Sequence, residues 1–203
     1  MHSAGKLEVI SKKTLKKVKL IMQFTFRRTP FYFLRHGETD HNVHKIYDDF
    51  TEIHLNENGK QQALQVQQIF RSIPISTVCS SPLLRVQQTK NIVLENKLVN
   101  DVILDEFREC PSSLWRLFLA AETRELHMEE WSLINAFTRQ VKDGLEKALQ
   151  YKDPILLVAH GGTYWALAHL LQLQGNRKIG NCVLTYISPE EPETWRAEPI
   201  LME

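Results

Sequence analysis

The chain has 203 residues, of which 43% are hydrophobic and 24% are charged, and its formal net charge is +1. This length and composition predict one globular domain with enough apolar residues to form a sizeable core. A net charge near zero gives no indication of nucleic-acid binding, and no stretch approaches the roughly 20 apolar residues of a membrane span.

Positive charge is concentrated at the N-terminus. Residues 1–21 contain six lysines and one glutamate, a local charge of +5, which leaves −4 for the remaining 182 residues. We treat residues 1–28 as a basic leader with three open interpretations: a disordered tail, an amphipathic helix docked on the domain or on anionic lipid, or a targeting peptide. The apolar run at 20–22 is too short for the core of a signal peptide. The remaining residues, 29–203, are predicted to form one folded domain.

Cysteine and histidine spacing gives no indication of a metal or other cofactor. The chain has three cysteines, Cys79, Cys110 and Cys182. An odd number without paired spacing argues against both a disulfide framework and a zinc site, and it favours reduced thiols in a cytoplasmic protein. His36, His41 and His44 lie close together in sequence, but their spacing matches no helix-borne pair of metal ligands.

Apolar runs of strand length alternate with segments of helical periodicity. Strands are predicted at 31–34, 75–79, 99–104, 155–159 and 182–187, and helices at 55–70, 134–149 and 161–173. Another helix is predicted after the second strand, with Ser81 as its N-cap and Pro82 as its first residue. Residues 107–130 are predicted to form an inserted, partly helical segment. Residues 188–199 are predicted to form a loop or an edge of the sheet. The alternation predicts an α/β fold: a mostly parallel, doubly wound sheet in a three-layer α/β/α sandwich.

Residues suited to anion binding occur where the first, second and fourth predicted strands end. They are Arg35, His36 and Asn42 after the first strand, Ser81 and Arg85 after the second, and His160 and Gly161 after the fourth. In a parallel sheet these carboxyl ends border one crevice, where ligands bind. Guanidinium groups and helix N-termini favour phosphate or carboxylate there. Each residue alone is more typical of a structural role, but together they predict an anion site.

Four sequence blocks, taken in order, resemble the signature of the histidine phosphatase superfamily, also called phosphoglycerate mutase-like. The blocks are Leu34–Thr39 (L-R-H-G-E-T) with Asn42, Leu55–Ala63, Ser80–Thr89 and Val158–Gly162. The resemblance implies the phosphoglycerate mutase-like fold and a phosphoric monoester hydrolase that acts on a small-molecule phosphomonoester. It implies no metal or other cofactor.

The resemblance also implies a role for each residue of the anion site. His36 would attack phosphorus and become a phosphohistidine. Arg35, Arg85 and His160 would bind the phosphoryl oxygens and stabilise the charge of the transition state. Asn42 and Gly161 would complete the phosphate site.

A proton donor for the leaving oxygen is expected after the third strand. Glu109 lies six residues before Trp115, which matches the spacing of the family, so we predict that Glu109 is the general acid and then the general base. Asp105 and Glu106 are the alternatives. The chain departs from the family at Ser113, in place of a glycine, and at Arg116-Leu117, in place of Glu-Gly. Trp115 and Phe118 fit either the leaving-group pocket or the core, and Trp131 is predicted to belong to the core.

Two other functions stay open at this point. One is a phosphoglycerate mutase-type phosphotransferase. Mutases of the family usually carry a basic pocket for the substrate carboxylate, and the insert holds few basic residues beyond Arg108, Arg116 and Arg124, which mildly favours hydrolysis. The other is a catalytically weak module that binds a phosphorylated protein, although such a module would be expected to lack one of the histidines or arginines. The substrate and the oligomeric state are not predicted.

Overall fold

The computed structural model describes residues 27–49, 52–95, 97–121, 123–173, 178–190 and 194–200. The six strands are β1 Phe31–Arg35, β2 Thr77–Ser80, β3 Asn100–Ile103, β4 Ile155–Ala159, β5 Leu184–Glu190 and β6 Thr194–Pro199. The α-helices are α1 Asp40–His44, α2 Glu57–Phe70, α3 Leu84–Leu94, α4 Ser112–Ala121, α5 Met128–Ala148 and α6 Gly161–Leu170. A 3₁₀ turn, Asp105–Phe107, follows β3.

The six strands form one mixed sheet in the order β3-β2-β4-β1-β5-β6. The first four strands of that order are parallel, and β5 and β6 extend the sheet in antiparallel pairing. The prediction of a mostly parallel sheet is therefore confirmed: four of the six strands described are parallel, and they include the three that the anion-site residues follow.

Helices cover both faces of the sheet, as a sheet buried on both sides requires. Alternate residues of β1 show the pattern: Phe31 and Phe33 pack with α4, α5 and α6, whereas Leu34 packs with α2 and α3. All five residues of β4 are buried. The predicted three-layer α/β/α sandwich is confirmed. No helix among the described residues is long and apolar enough to cross a membrane.

Three local predictions need correction or completion. The helix after β2 begins at Leu84 with Leu83 as its N-cap, so the prediction that Ser81 caps it and Pro82 starts it was wrong. The fifth strand runs to Glu190 and is longer than predicted. Of the two interpretations of residues 188–199, the edge is correct, because β6 pairs with β5 at the border of the sheet.

The predicted basic leader falls almost entirely outside the described residues, so its role stays a prediction. Only its last two residues, Arg27 and Arg28, are described. An ion pair of 2.9 Å joins Arg27 to Asp153, and the Arg28 guanidinium lies 5.9 Å from the centre of the Trp195 ring.

An ion pair between a buried lysine and a half-exposed aspartate joins α3 to β3. The Lys90 side chain is 3% exposed, and its Nζ lies 2.6 Å from Oδ2 of Asp101, whose side chain is 45% exposed. A buried ammonium group is stabilised only when it has a partner of this kind.

We expect Asp101→Asn to lower the free energy of unfolding by about 1–3 kcal/mol, because the buried ammonium would lose its counter-charge. Lys90→Met, which removes the buried charge and keeps the length of the side chain, is expected to change it by less than about 1 kcal/mol. Urea unfolding of the two variants measures the difference. A larger loss in Lys90→Met than in Asp101→Asn would contradict this account of the pair.

Candidate active site

The strand register brings the three predicted strand ends to one edge of the sheet. Arg35, the last residue of β1, lies opposite Ala159, the last residue of β4. Ser80, the last residue of β2, lies opposite Val158. The segments that follow these strands therefore start side by side, as expected for parallel strands.

A cavity of about 390 Å³ opens at this edge. Six of the seven predicted site residues line it: Arg35, His36, Asn42, Arg85, Glu109 and Gly161. The seventh, His160, is completely buried beneath them. The two alternative acids lie elsewhere, since Asp105 forms an ion pair with Arg108 and Glu106 forms one with Lys147. Geometry thus separates Glu109 from its alternatives.

The His36 imidazole is held in one orientation. Its Nδ1 lies 2.8 Å from the carbonyl oxygen of Gly37. A carbonyl oxygen only accepts, so Nδ1 carries the proton and donates, and Nε2 keeps its lone pair. Burial, together with the positive charges of Arg35 and Arg85, holds the pKa of His36 well below its ordinary value. The ring is therefore neutral around pH 7.

Two arginines bring buried positive charge to the cavity. Arg35 donates from Nη1 to the carbonyl oxygen of Ile179 at 2.8 Å, and Arg85 is 7% exposed. Within the described part of the chain, Nε of Arg35 and Nη1 of Arg85 have no hydrogen-bond partner. Burial lowers the pKa of both side chains, and the neighbouring Glu109 carboxylate opposes that shift. Both guanidinium groups remain charged and have donors available for an anion.

His160 lies edge-on to His36, with the centres of the two rings 5.3 Å apart. Its Nε2 is 2.8 Å from the hydroxyl oxygen of Ser81. Its Nδ1 is buried and has no hydrogen-bond partner among the described residues. Burial, followed by the charge of Arg85, holds the pKa of His160 well below its ordinary value. The Ser81 hydroxyl thus binds this imidazole, and it also accepts from the backbone N–H of Leu83, the N-cap of α3, at 3.3 Å.

Backbone amides hold the Glu109 carboxylate at the cavity wall. Its Oε1 accepts from the backbone N–H groups of Cys110 at 3.0 Å and Gly162 at 3.1 Å, and the Cys110 thiol also hydrogen-bonds this carboxylate. A Cβ at position 162 would lie 2.3 Å from Oε1, so glycine is required for this approach. Burial raises the pKa of Glu109, and the positive charges of Arg85 and Arg35 oppose the shift.

Asn42 is oriented by two neighbours, Thr39 and Asn181. It forms a capping box with Thr39 at the start of α1, in which its Oδ1 accepts from the Thr39 N–H at 3.2 Å. The same oxygen accepts from Nδ2 of Asn181 at 3.0 Å. Since Oδ1 is engaged twice, the NH₂ group is the part of the amide that can donate to a ligand.

Sequence reasoning missed the segment before β5. Asn181 donates to the carbonyl oxygen of His36 and to Asn42, both at 3.0 Å, and Ile179 accepts from Arg35. Both Asn181 and Ile179 line the cavity. No motif marks this segment, and its three hydrogen bonds with the site join residues far apart in the chain. Only the antiparallel pairing of β5 with β1, which sequence periodicity does not reveal, brings it there.

The aromatic residues of the insert divide between cavity and core. Trp115 and Phe118 line the cavity, and Phe118 is also part of the core. Trp131 packs against the core and does not line the cavity, in agreement with its predicted place. In the part of the chain that the structure describes, no three His, Cys, Asp or Glu side chains are grouped as metal ligands would be.

Comparison with known proteins adds a family and several relatives. Residues 31–198 match the family model described as the histidine phosphatase superfamily (branch 1). The chain is 26% identical over 179 residues to the uncharacterized phosphatase PhoE of Bacillus subtilis (strain 168), which covers 83% of this chain and 92% of that protein. It is 25% identical over 195 residues to the probable phosphoglycerate mutase GpmB of Enterobacter sp. (strain 638), covering 85% and 90% of the two chains.

Two further likenesses differ in extent. A stretch of 69 residues is 45% identical to the agropine synthesis reductase of Rhizobium rhizogenes, and it covers 29% of this chain but 16% of that protein. Among solved structures, the phosphoserine phosphatase of Entamoeba histolytica in complex with 3-phosphoglyceric acid has a TM-score of 0.63. It is 21% identical, with 86% of this chain and 95% of that chain covered. At that identity the likeness shows a common fold.

The buried imidazoles predict a loss of stability in mild acid. In the unfolded chain each histidine takes up a proton near pH 6.5, whereas folded His36 and His160 stay neutral to lower pH. The unfolded state then binds more protons, so the free energy of unfolding falls as pH falls below that value. When the pH is lowered from about 7.5 to about 5.5, the free energy of unfolding falls in both proteins. We expect the fall to be about 1 kcal/mol smaller in His36→Asn than in the wild type.

Urea unfolding at the two pH values measures this difference. The comparison with the variant isolates the imidazole, because Glu109, whose raised pKa acts in the opposite direction, is present in both proteins. An equal loss in the two proteins would show that His36 titrates alike in the folded and unfolded states.

Proposed function

The chain belongs to the histidine phosphatase superfamily, and from that membership we propose that it is a phosphoric monoester hydrolase that works through a phosphohistidine on His36. The observation that carries the proposal is the hydrogen bond from Nδ1 of His36 to Gly37. It leaves a neutral imidazole with the lone pair of Nε2 available, beside two guanidinium groups that have unused donors. A nucleophile and an anion site therefore occupy one cavity.

In the first step, Nε2 of His36 attacks the phosphorus of a small-molecule phosphomonoester. The N–P bond forms as the ester P–O bond breaks, and Glu109 gives its proton to the leaving oxygen. The raised pKa of Glu109 supports this role, because an acid must hold its proton near neutral pH to donate it. The products of the step are a free alcohol, a phosphorylated His36 and a carboxylate.

Arg35 and Arg85 stabilise the negative charge on the three non-bridging oxygens during the transfer. Nδ1 of His160 adds a donor when the Ser81 hydroxyl donates to Nε2 and leaves the ring proton on Nδ1. The N-terminus of α6 at Gly161 contributes the favourable end of a helix dipole. These groups supply positive charge and donors from the chain itself.

In the second step, the Glu109 carboxylate takes a proton from a water molecule that attacks the phosphohistidine. The N–P bond breaks, phosphate leaves, and both His36 and Glu109 return to their starting forms. Two backbone N–H groups hold Oε1 in place, which supports one carboxyl group serving both half-reactions.

The principal alternative is transfer of the phosphoryl group to a second hydroxyl group, as in a phosphoglycerate mutase. Two lysines that line the cavity, Lys45 and Lys178, favour it because they could attract a substrate carboxylate. Incubation with 3-phosphoglycerate distinguishes the two reactions: a hydrolase releases inorganic phosphate, and a mutase forms an isomeric ester. A module that only binds phosphoproteins would do neither.

We expect His36→Ala to lower kcat/KM for p-nitrophenyl phosphate by at least about 10³-fold, because the nucleophile is lost. Rapid quenching of the wild type with labelled substrate is expected to trap an acid-labile phosphoryl group on His36. The variant is expected to fold, as circular dichroism can verify, because its backbone N–H still bonds Ala159.

The matched control is His44→Ala, which removes an exposed histidine of α1 that does not line the cavity. This control is expected to keep both activity and label. Turnover by His36→Ala at the wild-type rate would refute the phosphohistidine mechanism.

Replacement of Glu109 by Gln keeps the shape of the side chain and removes its proton. We expect kcat/KM for phenyl phosphate, whose leaving group needs a proton, to fall about 10²–10⁴-fold. For p-nitrophenyl phosphate, which has a more acidic leaving group, the fall is expected to be much smaller. Because kcat/KM covers only the steps through phosphoryl transfer, slow hydrolysis of the intermediate does not distort this comparison.

Glu106→Gln is the matched control for the acid. Glu106 pairs with Lys147 outside the cavity, and its substitution is expected to leave both rates within about twofold. If the dependence on leaving group appears in Glu106→Gln instead, Glu109 is not the acid.

A further inference from the structure

The mouth of the cavity is lined by exposed apolar side chains. Ile46, Tyr47 and Leu119 all line it, and they are 48%, 47% and 40% exposed. Scattered exposed apolar residues are ordinary, but these three border one opening. The cavity volume of about 390 Å³ lies in the range of small-molecule sites. The mouth therefore offers apolar contact to the part of a ligand that lies beyond the phosphate.

The aromatic wall below this mouth is rigid. Trp115 packs edge-on against Phe118 with ring centres 5.7 Å apart. Phe118 in turn stacks on Trp165 at 4.1 Å with an angle of 15° between the rings. Phe118 and Trp165 are 1% and 4% exposed, so the core fixes Trp115 from behind. A preformed aromatic wall binds a ring without the entropic loss of ordering a mobile side chain.

The aromatic wall touches the phosphate site directly. A Cβ at Gly161 would lie 3.1 Å from the Trp115 ring and 3.5 Å from the guanidinium carbon of Arg35. The indole and the guanidinium group thus border the same point at the N-terminus of α6. A ring joined to phosphorus through a single ester oxygen would lie within reach of Trp115 while its phosphate is at Arg35.

The charged residues of the mouth are of both signs. His41 lies 3.1 Å from Asp48 through Nε2 and Oδ2, and the Asp48 carboxylate opposes the positive charges of Lys45 and Lys178. An acidic leaving group would therefore meet attraction and repulsion together. An uncharged ring would instead gain contact with the apolar residues of the mouth without this repulsion, which favours a ring at this position.

We propose that the leaving-group side of the cavity is a subsite for an uncharged aromatic alcohol, and that small aryl phosphomonoesters are the preferred substrates. The proposal rests on the hydrolase function proposed above. Hydrolysis breaks the bond between phosphorus and the aryl oxygen, and the alcohol and phosphate leave. Tyr47, Trp115 and Leu119 determine this specificity and take no part in the bond changes.

The test compares two aryl esters whose leaving groups have similar acidity, 2-naphthyl phosphate and phenyl phosphate. We expect the wild type to hydrolyse the naphthyl ester with about tenfold higher kcat/KM, since one additional apolar group in a pocket gives a factor of this size. The double variant Tyr47→Ser, Leu119→Asn is expected to reduce that ratio to about 2 or less, because both apolar contacts with the second ring are lost. Both side chains are half-exposed, so the variant is expected to fold.

Leu133→Asn is the matched control, because Leu133 is 58% exposed on α5 and does not line the cavity. It is expected to keep the full naphthyl preference. Equal kcat/KM for the two esters in the wild type, or a preference that survives in the double variant, would overturn the subsite. Faster hydrolysis of 3-phosphoglycerate than of phenyl phosphate would also overturn it and assign the mouth to an acidic group.

The hydrolase proposal fails in a different way. If no ester is hydrolysed and His36 takes no label, the chemistry itself is absent, and the subsite proposal falls with it. If p-nitrophenyl phosphate is hydrolysed without any naphthyl preference, the hydrolase stands and only the subsite is refuted.

Discussion

Buried positive charge is the constraint on which the site depends. Arg35 and Arg85 lie beside the Glu109 carboxylate, and Asp48 also acts on Arg85, so the fold holds two guanidinium groups largely out of water. Such an arrangement costs free energy unless hydrogen bonds or an anion compensate it. The same charges lower the pKa of His36 and His160. One electrostatic arrangement therefore both attracts a phosphate dianion and keeps the proposed nucleophile neutral.

Close backbone approaches hold this arrangement in place, and glycine makes them feasible. A Cβ at Gly37 would lie 2.5 Å from the carbonyl oxygen of Gly59, so the end of β1 lies directly against the start of α2. Gly37 also donates to Thr89, which ties β1 to α3. Gly162 gives the Glu109 carboxylate access to a backbone N–H. The backbone that carries the charged groups is thus fixed by close contacts between elements.

Sequence alone predicted what depends on local periodicity or on the order of strands. The burial of β1 and β4 follows from their apolar residues. The placement of His36, Arg85 and His160 at one edge follows from parallel pairing. Ser81 was misassigned as a helix cap because spacing cannot show that its hydroxyl binds a histidine 79 residues away. Asn181 was missed for the same reason: its partners, at His36 and Asn42, are tertiary.

The floor of the cavity, where we propose that phosphate binds, and the mouth of the cavity come from different parts of the fold. The floor is made by strand ends, whose positions are fixed by sheet hydrogen bonds. The mouth combines Ile46 and Tyr47, from the segment after α1, with Leu119 of α4. Leu119 and the wall residues Trp115 and Phe118 lie on α4 at spacings of one to four residues, and all three face the cavity. The departures from the family signature, Ser113 and Arg116-Leu117, fall within this helix and not among the residues of the floor. On the proposed function, changes in α4 therefore alter which leaving group fits while the proposed chemistry at His36 is retained.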